Sequence, residues 1–273
     1  MKRLYNGWVL RHSCKAGRVG ATKFVLIIAN APLISSLSGY PNIIQNCYKG
    51  SSVDSHFFIN ALYLLQDEVL RLINSLETGF YLTGGTAASR AYLHHRFSED
   101  LDLFVNYDDR FAHWIEQIIR ALAQQTVWQT NVLSKQEYFV RILLKQANTT
   151  LKLEFVNDVP FRVGEVADHP TLGKVDTAEN ILANKVTAAL GREEPKDLAD
   201  IWGFCTQMGL SIHEAITGAQ GKAAGIFPPD FARILLSATE SDWELIRWLN
   251  PPNPAQFVSD LHQIGEKIIL SAA

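Results

Sequence analysis

Residues 80–104, FYLTGGTAASRAYLHHRFSEDLDLF, set the reading of this chain. Phe80, Tyr81 and Leu82 form an apolar strand pattern. Gly84-Gly85-Thr86 follows as a turn, residues 87–95 as a short helix, and residues 100–104 as a second strand. Strand side chains alternate faces, so Asp100 and Asp102 point the same way, roughly 6.6 Å apart along the strand. Leu101 and Leu103 between and beyond them turn into a core while the acids face a cavity. Gly84 and Gly85 can take positive φ or admit a ligand close to the backbone. Thr86 is expected to N-cap the helix favoured by Ala87, Ala88 and Ala91.

These parts point to phosphate chemistry. Two carboxylates on one strand face repel unless a cation lies between them. Mg²⁺ suits the task, because it takes hard oxygen ligands and binds through one or two carboxylates plus substrate phosphates. Backbone N–H groups at the start of the short helix would face an anion such as a nucleoside triphosphate. The other reading of Asp-x-Asp is an exposed strand edge with both acids in water. The turn is neither a Walker loop, whose lysine and spacing are missing, nor a dinucleotide fingerprint, whose third glycine is missing.

Gly84-Gly85-Thr86 followed by Arg96-Phe97-Ser98-Glu99-Asp100-Leu101-Asp102 resembles the signature of the polymerase-β-like nucleotidyltransferase superfamily. Within it the chain resembles the AbiEii/AbiGii toxin family, over about Leu76 to Leu210. The resemblance implies transfer of a nucleotide from a nucleoside triphosphate to an acceptor, which for some members is the end of tRNA. It also implies a type IV toxin–antitoxin or abortive-infection context with a cognate antitoxin. The metal ligands it implies are Asp100, Asp102 and a third acid on a neighbouring strand. Thr150–Val156 (TLKLEFV) alternates as a half-buried strand, which makes Glu154 that acid, although many superfamily members carry Asp there. In a two-metal site Glu154 would help activate the acceptor hydroxyl. The competing reading is a strand acid paired with Lys152 at the surface. Gly84, Gly85, Thr86 and Ser98 complete the nucleotide-binding set.

Residues 177–190 (TAENILANKVTAAL) read as a helix with Thr177 as N-cap, and Pro195 opens a second helix reaching Met208. Lys185 falls among the apolar positions, where an ammonium needs a partner or a ligand. In the resembled family a lysine there is followed by a basic-Asp-x-x-Asp unit, matched by Lys196-Asp197-Leu198-Ala199-Asp200. The resemblance makes Lys185 a triphosphate contact. Asp197 and Asp200, three apart on one helix face, would orient basic groups such as Lys185, Arg192 or Arg90. Asp197 also has the plain reading of an acid complementing a helix N-terminus.

The remainder organises around this core. Phe57–Ser75 is expected as one long helix, Arg110–Gln124 as another, and residues 138–144 with 151–156 as a β-hairpin. After Leu210 short helices are expected over residues 211–218, 228–237, 242–249 and 254–272. His94 and His95 read as helix-surface residues, and Trp243 and Trp248 as packed helical tryptophans or a platform for an acceptor base. The fold class is therefore α/β (α+β): a small mixed sheet flanked by helices, then a helical C-terminal region. The division expected is an extension over 1–54, poorly ordered or foreign to the family and consistent with a start codon assigned too far upstream. A nucleotidyltransferase core over 55–175 and a helical domain over 176–273 follow it.

With 273 residues, 47% of them hydrophobic, the chain can bury a sizeable core. A net charge of −3 gives no overall electrostatic footprint for nucleic acid, and no DNA partner is expected. The apolar run from Phe24 to Ile34 is too short to span a membrane. Cys14, Cys47 and Cys205 show no metal-ligand spacing, and a reducing cytoplasm fits them. Two other functions remain open on the sequence: modification of a small antibiotic-like molecule or a protein, and a non-catalytic nucleotide-binding module.

Overall fold

The computed structural model describes residues 52–192 and 194–272. The expected extension up to Ser51, with Cys14 and Cys47, lies outside the described residues. A seven-stranded mixed sheet has the order β3-β4-β5-β2-β1-β7-β6. Its strands are β1 (Tyr81–Thr83), β2 (Leu101–Asn106), β3 (Gln129–Lys135), β4 (Phe139–Gln146), β5 (Thr149–Asp158), β6 (Ala167–His169) and β7 (Gly173–Val175). Helices α1 (Ser52–Phe57), α2 (Tyr63–Asn74), α3 (Gly84–Ala87) and α4 (Phe111–Ala123) belong to the first half. Helices α5 (Ala178–Gly191), α6 (Pro195–Thr206), α7 (Ile212–Lys222), α8 (Pro228–Leu236), α9 (Glu240–Glu244) and α10 (Pro254–Ala272) form the second.

The sheet's centre follows from alternation. Leu101, Leu103 and Val105 of β2 are buried while Asp102, Phe104 and Asn106 are only partly so. Leu151, Leu153 and Phe155 of β5 are buried in the same way. One-sided burial fixes register, because a slip of one residue would turn every apolar side chain outward. Accordingly β2 and β5 run parallel with Asp102 opposite Glu154, and β1 runs antiparallel to β2 with Thr83 opposite Asp102. One hydrophobic cluster runs from Phe58 through the sheet to Ile268, so the sheet and the C-terminal helices share a core.

The hairpin is present and longer than expected, with β4 and β5 joined at Ala147 and Asn148. Ala147 takes positive φ there. Four departures separate the structure from the sequence reading. The helix expected over Phe57–Ser75 is interrupted by a π-helical stretch, Phe58–Leu62, between α1 and α2. A second π-helical stretch, Ala88–Leu93, extends α3. Strand β3 has no alternation to reveal it, being largely exposed along an edge. The helix expected over residues 242–249 ends at Glu244, because the chain beyond it pairs with residues 95–97 instead. Phe97 N donates to Arg247 O at 2.8 Å and Leu249 N to His95 O at 2.8 Å. Trp248 packs edge-on against Trp202 and Phe257.

Candidate active site

The residues expected as a turn, Gly84-Gly85-Thr86, are the first residues of α3, directly after β1, and this helix start is shaped by close approach. Gly84 has φ +65°, and a Cβ there would fall 2.1 Å from Asp102 Oδ2. A Cβ at Gly85 would fall 2.7 Å from Arg96 Nη2 and 3.1 Å from Ser98 Oγ. The positive φ and the close Asp102 carboxylate call for glycine at 84, and a side chain at 85 would have to displace Arg96. Thr83, not Thr86, is the residue at the helix start, and it makes no side-chain cap there. Thr86 is buried and turned inward: its hydroxyl donates to Ser98 Oγ at 2.9 Å and sits in short contact with the Asp100 carbonyl. Thr86 and Ser98 thus tie the glycine turn to the start of β2.

Asp100, Asp102 and Glu154 come to one end of the sheet, as the register demands. Their environments differ. Asp100 is one-third exposed, and Lys152 Nζ lies 2.8 Å from its Oδ2. The same ammonium lies 3.2 Å from Glu154 Oε1, which Arg141 also holds through Nε at 2.8 Å. The surface pairing with Lys152 is therefore present, and it reaches into the site. Asp102 has no hydrogen-bond donor on its carboxylate among the described residues. Burial, then repulsion by Glu154, push its pKa up to about 6, against the pull of Lys185 and Lys152.

Behind these acids lies a buried ionic cluster. Lys185 Nζ sits 2.7 Å from Asp197 Oδ1 and 2.6 Å from Asp200 Oδ2. Arg96 grips Asp200 through Nε and Nη2, both at 2.7 Å, a two-point geometry particular to guanidinium. Arg192 donates to Asp197 Oδ2 at 2.9 Å. His95 Nε2 contacts Asp200 Oδ1 at 3.0 Å. Burial lowers the His95 pKa, which keeps the ring neutral. Asp200 is fully buried, yet the Arg96 and Lys185 charges hold its carboxyl well below the usual range.

Sequence reasoning paired Asp197 and Asp200 with Lys185 and Arg192. It missed Arg96 and His95 as partners of Asp200, and Arg90 turns instead to Asp67 and Gln66. His95 is buried, contrary to its reading as a surface residue. The signal available was Arg96 itself, a cation two residues before Ser98 in a segment otherwise bound for the core. Asp176 was also missed. It is buried and accepts from Thr83 Oγ1 at 2.7 Å, Arg162 Nη2 at 2.8 Å and Asn180 Nδ2 at 2.8 Å, which joins the end of β1 to the start of α5.

A cleft of about 280 Å³ opens over these groups. Gly85, Ser98, Asp100 and Asp102 line one side and Lys185, Arg192 and Lys196 another, with Leu245 and Arg247 also at the lining. Such a cleft offers hard oxygen donors beside several cations, the arrangement a metal-bound polyphosphate requires.

The family described as nucleotidyl transferase AbiEii toxin, type IV TA system, matches residues 70–241, more than half of the chain. The chain belongs to this family. It is a nucleotidyltransferase of toxin type, with a nucleotide substrate and a family context that implies a cognate antitoxin. Solved structures show the same fold at low identity. JHP933 from Helicobacter pylori is 20% identical, with a TM-score of 0.54, covering 76% of this chain and 92% of its own. MenT4, a nucleotidyltransferase toxin from Mycobacterium tuberculosis H37Rv, is 17% identical, with a TM-score of 0.55, covering 76% and 82%. No curated protein matches the chain.

Whether the transferase suits a divalent ion can be tested on its donors. Among the described residues no group of three or more His, Cys, Asp or Glu side chains is disposed to hold one. Glu154 Oε1 is paired with Arg141 and Lys152, and Asp100 Oδ2 with Lys152. Asp100 and Asp102 still supply two carboxylates on one face, one of them without a donor. With substrate phosphates, that number is sufficient for Mg²⁺.

Proposed function

We propose that this transferase is Mg²⁺-dependent and moves a nucleotide from a nucleoside triphosphate to the end of tRNA, in the cytoplasm, under control of a cognate antitoxin. The observation that carries the reading is the cleft whose lining brings Asp100 and Asp102 together with Gly85, Lys185 and Arg192. Asp100 and Asp102 would hold the metal, which when bound supplies charge neutralisation at the phosphates. The glycine turn, Thr86 and Ser98 shape the floor. Lys185 and Arg192 attract the triphosphate, and Asp197 and Asp200 hold their charged groups in place. The acceptor hydroxyl attacks the α-phosphorus, the bond to the bridging oxygen breaks, and pyrophosphate leaves. Glu154, in register with Asp102, is the acid assigned to take the acceptor's proton. Positioning and charge stabilisation supply most of the rate in such transfers.

A polyanionic acceptor is supported by the cations at the cleft, where Arg192, Lys196 and Arg247 are each about half exposed. Among the described residues no helix is long and apolar enough to cross a membrane. The family's transferase activity disfavours a module that only sequesters nucleotide.

Incubation of the protein with Mg²⁺, each labelled nucleoside triphosphate and total tRNA tests the reading, with Asp100→Ala as control. Label on RNA with wild type alone is the expected result. Pyrophosphate release with a small-molecule or protein acceptor, and none with RNA, would move the function to that acceptor.

A further inference from the structure

Lys152 is placed unlike any other cation of the cleft. It projects from β5 on the same face as Glu154, and its single ammonium spans two acids, Asp100 of the segment entering β2 and Glu154 of β5. Lys196, by contrast, pairs with Glu194 at 2.8 Å, and Arg247 with Glu99; neither touches the acids on which the proposed chemistry depends. An exposed lysine–carboxylate pair is ordinarily a weak surface feature. Lys152 is instead about one-third exposed, on a four-carbon stem that can swing, and it contacts one proposed metal ligand and the proposed proton acceptor together.

An ammonium and a divalent ion cannot share the same carboxylate oxygens, since each needs those lone pairs at short range and the two repel. We propose that Lys152 is a positioning residue that competes with the divalent cation for Asp100, so that metal loading and release of Glu154 are one event. This rests on the metal reading given above. Arg141 holds the same oxygen, Glu154 Oε1, through Nε and Nη2, so the carboxylate stays anchored when the ammonium leaves. Lys152 then remains beside the cleft, where the triphosphate offers it new acceptor oxygens.

The distinction from general electrostatics is measurable. A cation in contact with a carboxylate alters that group's affinity for a competing cation by roughly tenfold or more. A charge farther away in an open cleft is largely screened. Mn²⁺ serves as probe, because carboxylate and water ligands suit it as they suit Mg²⁺. Free Mn²⁺ is titrated by electron paramagnetic resonance into the full chain without nucleotide, comparing wild type, Lys152→Met and Lys196→Met. Thermal melts confirm that each variant is folded, and Lys152→Gln replaces the methionine variant should it melt early.

The expected result is binding about tenfold tighter with Lys152→Met and within about threefold of wild type with Lys196→Met. Adding Asp100→Asn to Lys152→Met should abolish the gain. Equal effects of the two lysine variants, or weaker binding with Lys152→Met, would overturn the competition while leaving the metal site standing. Absence of Mn²⁺ binding in every protein at millimolar metal would overturn the competition, whereas the metal reading, which counts substrate phosphates among the ligands, falls only if labelled-nucleotide transfer proceeds equally without divalent metal.

Discussion

Asp102 carries an uncompensated charge. Burial, and then the neighbouring Glu154 across the sheet, raise its pKa to about 6, above the usual carboxylate value of 3.8. An acid whose folded pKa exceeds its unfolded one destabilises the fold above the folded value, and that cost vanishes below the unfolded value. Asp102→Asn should therefore abolish transfer yet stabilise the protein by up to about 3 kcal/mol at pH 8. The gain should shrink between about pH 6 and pH 4, which thermal melts at stepped pH will read; a gain constant with pH would sink this account. Asp200 has the opposite sign. Its lowered pKa contributes stability above pH 3.8 that is lost only as pH falls toward the depressed value. Asp200→Ala leaves the Arg96 and Lys185 charges with one fewer buried partner, and a loss of about 3–5 kcal/mol is expected in urea unfolding. A loss under about 1 kcal/mol would show that the cluster is not the anchor described.

At the scale of elements, the site depends on a short pairing far apart in sequence. Residues 95–97 lead from the π-helical stretch into β2, and they are held by residues 247–249 rather than by a neighbouring strand. Trp248 anchors that pairing through contacts with Trp202, Phe257 and Trp243, and its Nε1 donates to Trp243 O at 2.9 Å. The tryptophan pair is thus committed to packing rather than to stacking on an acceptor base. Trp248→Ala should cost about 3–5 kcal/mol. Amide exchange should accelerate at Phe97 and Leu249 before it does at Leu103, in the middle of β2. Unchanged exchange at those two amides would mean that β2 is positioned without the C-terminal segment.

Over the whole molecule, ion pairs join the sheet side to the C-terminal helices. Arg96 precedes β2 while Asp200 belongs to α6, and Asp176 joins β1 to α5. The division into a core over 55–175 and a helical domain over 176–273 stands as a proposal, and these links bear on how it would behave. Buried ion pairs and one shared hydrophobic cluster crossing that boundary should couple the two halves. Calorimetry should give a single transition with calorimetric and van't Hoff enthalpies equal. Two separated transitions would instead favour independent domains.

Much of the site was legible because it is local. Gly84, Gly85, Asp100 and Asp102 lie within one turn–helix–strand unit, and strand periodicity alone puts the two acids on one face. Alternation in residues 150–156 identified β5 and placed Glu154 on its outer face, and the spacing of Asp197 and Asp200 put both on one helix face. Edge strand β3 was not legible, since an exposed edge needs no apolar alternation. The break of the helix expected over 242–249 was not legible either, because backbone pairing with residues 95–97 outweighed local propensity there. By itself the sequence determined the sheet-and-helix core, the glycine turn and the acid pair, all set by periodicity and backbone sterics over short range. Only the tertiary structure decided the remaining partners: Arg96 and the neutral His95 on Asp200, and the second contact of Lys152, to Asp100. Ion pairing depends on distances across strands and helices, and spacing along the chain does not encode them.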